Sequence, residues 1–178
     1  MMDTTKSHLV GVAVPTLREL RSAILSSAGP SDAVAALREA GYAGGDSIHS
    51  AFERWLVETG AADTADAGEL PLEKFGDRAA TFFGDAGWGD VEFSHDEDEG
   101  VAMIDITNCW EAAGNDAEDP GCQVTTGMLA SFFGKIAGYP VAVLETECCH
   151  GDGSRCRFVM GNAEVMNYKW EQIKAADG

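Results

Sequence analysis

The chain has 178 residues, of which 45% are hydrophobic, and its 12 basic and 30 acidic residues give a net charge of -18 at pH 7. This length and composition are typical of one globular domain, so we predict a single domain over residues 1–178. The acidic excess disfavours nucleic-acid binding, because contact with a phosphate backbone needs clustered Lys and Arg.

The N-terminus and the cysteines together predict a cytoplasmic protein. The apolar patch near the start spans about six residues and is poorly flanked for a signal peptide. No apolar run approaches the roughly 20 residues that span a bilayer, so no membrane insertion is expected. Five cysteines, an odd number, fit reduced cytoplasmic thiols better than a disulfide framework.

The first half of the chain shows helical periodicity throughout. Apolar residues recur at the spacing of amphipathic helices, and capping residues, glycines and prolines divide the pattern into four segments. The predicted boundaries are a capping box at Thr16 and Glu19 with an end at Gly29-Pro30, then Ser31 to Gly41, then a start at Asp46, and finally Pro71 to Gly84.

Beyond residue 90 the pattern alternates with a period of two, which indicates strands. Two alternating segments precede a short predicted helix in Asn108–Ala112 (NCWEA), and a longer helix follows at about Gln123–Ala137. Residues 141–148 and 155–161 then read as a second hairpin, and Asn162 is expected to cap a final helix. The sequence therefore predicts an α+β fold, in which helices pack on an antiparallel four-stranded sheet of two hairpins.

The helix at Gln123–Ala137 has an unusual cross-section. Gly127, Ser131, Gly134 and Gly138 fall on one side, with bulky apolar residues opposite. A glycine inside a helix costs about 1 kcal/mol relative to alanine. Either close packing against another backbone or a ligand lying on this side could offset that cost.

A metal site is predicted where the second hairpin meets this helix. Cys148 and Cys156 flank a tight Gly- and Asp-rich loop, so the hairpin brings their sulfurs together. Glu145 lies three residues before Cys148 and can join them only if the strand bends or bulges. Cys122, at the start of the helix, would supply the fourth ligand of a tetrahedral zinc site.

The spacing alone leaves alternatives open. Cys149, His150 and Glu147 are competing ligands, and the cysteines could also be ordinary thiols. Three thiolates and one carboxylate would fill the coordination sphere of zinc and leave no position for an activated water. A site of this kind is structural rather than catalytic.

Several motifs resemble the 4-vinyl reductase domain family, whose members are also called hydrocarbon-binding domains. The motifs are GY-x-x-G at 41–45, GWG at 87–89, NCWEA at 108–112, YPV at 139–141 and E-x2-C-x7-CRF at 145–158. The resemblance implies the α+β fold shared by subunits of the TRAPP trafficking complex and haem-dependent nitric oxide sensors. In related phenol- and xylene-responsive sensors three cysteines and a glutamate hold zinc, which maps onto Cys122, Glu145, Cys148 and Cys156 and leaves Cys109 and Cys149 without a role.

The resemblance also implies a ligand pocket between helices and sheet, next to the metal. Trp110, Phe132, Phe133 and Tyr139 are the residues expected to line it. We therefore expect a small-molecule-binding or sensor domain for an apolar, aromatic or tetrapyrrole-like ligand, with structural zinc. Because the chain ends after this domain, it would signal through a separate protein or act alone.

Two alternatives follow from the same resemblance. One is an enzyme, or an accessory factor, of tetrapyrrole vinyl reduction. No G-x-G-x-x-G fingerprint for a nicotinamide cofactor follows a predicted strand, so we lean away from an enzyme. The other is a dimeric assembly module, since the TRAPP-like fold dimerises through helical faces, and a homodimer is expected.

Overall fold

A computed structural model describes residues 9–61, 66–96, 98–112, 120–149 and 154–176, with side chains described as far as residue 172. These residues form five α-helices, a short 3-10 helix and four strands. In chain order the elements are α1 (Val14–Ser27), α2 (Pro30–Glu58), the 3-10 helix (Ala67–Glu69), α3 (Leu72–Asp85), β1 (Asp90–Asp96), β2 (Val101–Thr107), α4 (Gln123–Ala137), β3 (Ala142–Glu147), β4 (Cys156–Gly161) and α5 (Ala163–Ala176).

The sheet is antiparallel with the strand order β1-β2-β4-β3, so the two hairpins meet through β2 and β4. Ile106 lies opposite Cys156 at one end of this central pair, and Ala102 lies opposite Met160 at the other. The residues that alternate inward along β4 are buried, as a half-covered strand requires. The predicted α+β class and two-hairpin sheet are confirmed.

The core lies between the helices and one face of the sheet. Its largest fully buried side chains include five phenylalanines, which come from α2, α3, α4 and β4: Phe52, Phe82, Phe83, Phe132 and Phe158. Phe52 and Phe83 each approach Phe132 edge-on, with ring centroids 5.6 and 5.1 Å apart, an arrangement that aromatic quadrupoles favour. No helix in the described part of the chain is long and apolar enough to cross a membrane.

The prediction of two helices between Ser31 and Glu58 is wrong, because α2 runs through this segment without a break. Its glycines were read as stops, but Gly41 and Gly45 are buried against α4. A Cβ added at Gly41 would overlap the carbonyl of Val124, and one at Gly45 would overlap the Ser131 side chain. These glycines therefore exist for close helix packing rather than for helix termination.

The same contact decides between the two readings of the glycine side of α4. A Cβ added at Gly127 would overlap the carbonyl of Arg38 on α2, and Ser131 lies against Gly45. This side of the helix is therefore filled by the backbone of α2 rather than by a ligand. Gly138 has a different role, since its φ of 72° forms the left-handed cap that ends α4.

Two smaller predictions are also wrong, and one is confirmed. Helix α1 begins at Val14 with Ala13 before it and no side-chain cap, so Thr16 and Glu19 do not form a capping box. The described residues around Asn108 form a turn instead of a helix, with Asn108 itself at φ 55°. The cap at the start of α5 is present, because the Val165 amide donates to the Asn162 Oδ1 at 3.0 Å.

Candidate functional site: a cysteine–glutamate cluster and a cleft

Four residues from three segments converge at one end of the sheet. Cys122 directly precedes α4, Glu145 and Cys148 lie at the end of β3, and Cys156 begins β4. Their potential ligand atoms all lie within 4.8 Å of one another, and Cys122 and Cys156 are fully buried. The cluster could hold a metal ion, and it is the same set of four that the sequence predicts.

The spacing of the three sulfurs matches a tetrahedral metal site. The Sγ atoms are 3.6 Å apart for Cys122–Cys156, 3.9 Å for Cys122–Cys148 and 3.9 Å for Cys148–Cys156. Zinc–sulfur bonds of about 2.3 Å at tetrahedral angles place neighbouring sulfurs about 3.8 Å apart. A disulfide would need about 2.05 Å, and all the cysteines are free.

Glu145 reaches the sulfurs because β3 is irregular at this point. The register with β4 shifts between Glu145 and Glu147, which is the bend that the sequence required. The Glu145 Oε2 accepts a hydrogen bond of 2.6 Å from the Cys122 amide. A Cβ at Gly121, where φ is 81°, would overlap this oxygen. A glycine before Cys122 therefore makes room for the carboxylate.

The second carboxylate oxygen provides a test of whether a cation fits. Glu145 Oε1 is buried and has no hydrogen-bond partner among the described residues. Burial raises the pKa of Glu145 to about 7, although the hydrogen bond from the Cys122 amide lowers it. A buried acceptor without a donor is costly, and a metal ion would satisfy it. The donor set therefore fits a cation.

The thiols of the cluster are strongly coupled to one another. Hydrogen bonds from Cys122 and Cys156 lower the pKa of Cys148 to about 5. Contact with the thiols of Cys109 and Cys148, followed by burial, raises the pKa of Cys122. Without a cation the cluster thus favours a thiolate on Cys148 and a neutral thiol on Cys122. Three thiolates this close together need a positive charge between them.

The two remaining cysteines touch the cluster, which the sequence did not reveal. The Cys109 Sγ lies 3.8 Å from that of Cys122 and is buried. The Cys149 Sγ lies 3.2 Å from the Cys156 Sγ, and the Cys149 amide donates to the same sulfur. Burial raises the pKa of Cys149 to about 12, which disfavours its thiolate.

The other two competing ligands are resolved differently. Glu147 is exposed and pairs with the guanidinium groups of Arg155 and Arg157, at 3.2 and 3.3 Å. It is therefore directed away from the sulfurs. His150 lies outside the described residues.

Glu111 is an important residue of this region that sequence reasoning missed. It is fully buried, and its carboxylate accepts from the amides of Val124 and Thr125 at 2.9 and 2.8 Å and from the Thr125 hydroxyl at 2.8 Å. Burial raises its pKa, while these hydrogen bonds oppose the rise. Glu111 thereby supplies the cap that Cys122 lacks and fixes the start of α4.

Arg21 of α1 completes this arrangement. Its guanidinium is buried, donates to the Gly121 carbonyl at 3.1 Å, and lies 3.8 Å from the Glu111 carboxylate. The peptide that carries Cys122 is therefore held from both sides. The signal available in the sequence was a single acidic residue within the NCWEA motif.

A separate cleft of about 1090 Å³ lies between α3, β1 and the C-terminal end of α4. Its apolar floor is formed by Phe75, Phe93 and Phe133, whose ring centroids are 5.9 to 6.2 Å apart in each pair. Leu72 and Tyr139, both more than half exposed, also line the cleft. The cleft has the size and character of a ligand site.

Two of the four residues expected to line a pocket, Phe133 and Tyr139, line this cleft. Phe132 is fully buried in the core, and its ring contacts those of its neighbours in α2 and α3. Trp110 packs edge-on against Trp88, with ring centroids 5.8 Å apart. The structure thus brings only half of the predicted set to the cleft.

The cleft does not adjoin the cysteine–glutamate cluster, contrary to the expectation of a pocket next to the metal. It borders Ala102 and Met160, whereas the cluster lies at the Ile106 and Cys156 end of the same strands. Along α4, Phe133 follows Cys122 by eleven positions, which is about 16 Å at 1.5 Å per residue. The two features occupy opposite ends of the helix.

Comparison with known proteins agrees with this fold. A family model of the 4-vinyl reductase domain matches residues 103–162, which include β2, α4, β3 and β4. No curated protein matches the chain. The phenol-responsive sensory domain of the transcription activator PoxR, solved with phenol, is 14% identical with a TM-score of 0.66, over 88% of this chain and 77% of that one.

Two further structures are similar. Subunit 3 of a trafficking protein particle complex from Naegleria fowleri, covalently bound to palmitic acid, has 11% identity and a TM-score of 0.59 over 83% of this chain and 91% of that one. A vinyl-4-reductase family protein from Methanocaldococcus jannaschii has 17% identity and a TM-score of 0.48 over 85% and 82%. The match over residues 103–162 confirms the resemblance to the 4-vinyl reductase family, and the chain has the fold of the PoxR sensory domain and the trafficking-complex subunit.

Proposed function

We propose that the chain is a small-molecule-binding sensor domain that takes an apolar or aromatic ligand into the cleft. The observation that carries this proposal is the cleft itself, with three phenylalanine rings on its floor. Its volume of about 1090 Å³ suits an organic ligand. Leu72 and Tyr139 expose 58% and 53% of their surface at its walls, and a ligand would cover such apolar surface.

The similar fold of a sensory domain solved with phenol supports the same proposal. The phenylalanine floor suits flat apolar molecules, since aromatic rings pack edge-on or offset against one another. The proposed ligands are therefore aromatic or hydrocarbon-like, and a tetrapyrrole-like ligand stays a prediction.

Binding can be tested with a variant that fills the cleft. Ala137 lines it and is exposed at the end of α4, so Ala137→Trp adds a large side chain with little effect on the core. Ala35→Trp is the matched control, an exposed helical alanine that lines a different groove on α2. Titration calorimetry with a panel of phenols and naphthols should show binding by the unmodified protein and the control, and at least about tenfold weaker binding by Ala137→Trp.

The outcome is decisive in either direction. If no member of the panel binds the unmodified protein, and mass spectrometry under native conditions finds no co-purified ligand, the proposal is wrong. Equal binding by Ala137→Trp and Ala35→Trp would remove the cleft as the site.

We further propose that Cys122, Glu145, Cys148 and Cys156 hold a structural zinc ion. The sulfur spacing, the unpartnered Glu145 Oε1 and the excess negative charge of the cluster support it. Bound zinc would supply a tetrahedral cross-link between the start of α4 and the β3–β4 hairpin. All four positions are taken by protein atoms, so no activated water is expected.

Metal analysis of untagged protein should find about one zinc per chain. Cys156→Ser should lose the zinc and melt at a lower temperature, because a structural site contributes its binding free energy to folding. Cys149→Ser is the matched control, since it removes a neighbouring thiol outside the proposed ligand set. Loss of zinc from Cys149→Ser with retention in Cys148→Ser would reverse the assignment of these two residues.

The expected homodimer, the cytoplasmic location and the separate signalling partner stay predictions. Light scattering coupled to size-exclusion chromatography measures the first of these directly. A mass of one chain across micromolar concentrations would contradict the dimer.

A further inference from the structure

We infer that the cleft selects apolar ligands that carry a cationic nitrogen, a protonated amine or a quaternary ammonium group, over ligands that carry a carboxylate. The inference rests on the proposed function, because it names the chemical class of ligand for the same cleft. It comes from the charges along the walls of the cleft.

Carboxylates face the cleft from two elements. Glu73 and Asp77 contribute from α3, and Glu92 and Asp96 contribute from the edge strand β1. Among the described lining residues there is no Lys or Arg. A ligand on the phenylalanine floor would therefore have negative charge on both sides and no permanent positive charge to pair with an acidic group.

Basic residues of the neighbouring elements are engaged elsewhere. Arg78 of α3 donates to the Ala61 carbonyl at 3.0 Å, which lies outside the cleft. Lys135 of α4 pairs with Asp46 on α2 at 2.6 Å, and Lys169 of α5 pairs with Glu99. None of these three cations lines the cleft, so none is placed to neutralise its carboxylates.

His95 is the lining side chain, among those described, that can gain a positive charge. On β1 it follows Val91 and Phe93 in the same alternation, so it belongs to the inner side of the strand. An ordinary histidine is neutral at pH 8, and a measurement at that pH leaves the wall carboxylates as the charged groups.

The charge pattern and the floor act together on an amphiphilic cation. Its apolar part would lie on the three rings, while its ammonium group would meet carboxylates at the rim. The exposed ring of Tyr139 adds a surface that attracts cations through its quadrupole. A carboxylate in the same place would be repelled and would lose hydration without a partner.

Three probes of one skeleton separate charge from shape: 3-phenylpropylamine, 3-phenylpropanol and 3-phenylpropanoate. Ligand-observed NMR titrations at pH 8 and low salt should give affinities in that order, with the amine at least about tenfold tighter than the carboxylate. The preference should shrink as salt is raised, because the rim is exposed to solvent.

A pair of double variants separates the cleft from the overall charge of the protein. Glu73→Gln with Asp77→Asn should reduce the preference for the amine at least about threefold, since half of the wall carboxylates are removed. Glu19→Gln with Glu39→Gln is the matched control, because it removes two exposed carboxylates from α1 and α2 and changes the net charge equally. The control should keep the preference of the unmodified protein.

The possible results distinguish this inference from the proposed function. Binding of the alcohol with no advantage for the amine, or an equal effect of both double variants, would overturn the charge selectivity and leave the ligand site standing. Tighter binding of the carboxylate would also overturn it. Absence of binding by all three probes, together with the phenols and naphthols, would remove the ligand site itself.

Discussion

Gly127→Ala tests the contact on which α4, and with it Cys122, is positioned. The added Cβ would overlap the carbonyl of Arg38 on α2, a backbone atom that cannot rotate away. Gly134→Ala on the same helix is the matched control. There the added Cβ would meet the Tyr139 carbonyl at 3.5 Å, which is ordinary van der Waals contact.

The two substitutions share one favourable effect and differ in one unfavourable effect. Each replaces a helical glycine with alanine, which favours the helix by about 1 kcal/mol. Overpacking against a rigid neighbour costs about 3 kcal/mol, the upper part of the usual range. Gly127→Ala should therefore lower the free energy of unfolding by about 2 kcal/mol, and Gly134→Ala should raise it by up to about 1 kcal/mol.

Thermal and urea unfolding followed by circular dichroism measure both effects. At about 2–4 °C per kcal/mol for a chain of this size, Gly127→Ala should melt about 4–8 °C lower and Gly134→Ala up to about 4 °C higher. The opposite signs matter more than the magnitudes. If Gly127→Ala proves as stable as Gly134→Ala, the close approach of α2 and α4 at this point is wrong.

Three further predictions concern buried or paired carboxylates. Glu111→Gln should lower the free energy of unfolding by about 1–3 kcal/mol in urea titrations, because an amide replaces a charged helix cap. Gly121→Ala should reduce zinc content in metal analysis, because its Cβ would overlap the Glu145 carboxylate at a positive φ. The hydrogen bonds from Arg157 lower the pKa of Asp105, so this pair stabilises the protein above the ordinary aspartate pKa and is lost as pH falls through the lowered one. Asp105→Asn should therefore weaken stability at pH 7 and leave it unchanged near pH 2.

Properties carried by local patterns could be predicted from the sequence. Period-two alternation in β1 and β2 identified the first hairpin, and turn residues between Cys148 and Cys156 identified the second. A closed hairpin necessarily brings these two cysteines together. The bulge near Glu145 was required by the period of a strand as soon as both residues were assigned to one cluster.

Properties that depend on remote partners could not be predicted. Gly41 and Gly45 have the local signature of helix ends, and only the position of α4 shows that they lie inside a helix. Glu111 looked like an ordinary turn residue, because its partners are backbone amides at the start of α4. Phe132 and Phe133 are adjacent on one helix, so the rotation of α4 alone decides which ring enters the core and which lines the cleft.

The separation of the cluster from the cleft limits what a metal could do for ligand binding. The cluster joins the start of α4 to β3 and β4, whereas the walls of the cleft come mainly from α3 and β1. Contact between the two regions runs through α4 and the central strands, which are held by Glu111 at one end and by phenylalanine packing along the core. A ligand in the cleft would therefore meet side chains rather than the metal. Its affinity would be set by the phenylalanine floor and the charged walls, and the metal would act on it only through the stability of the fold.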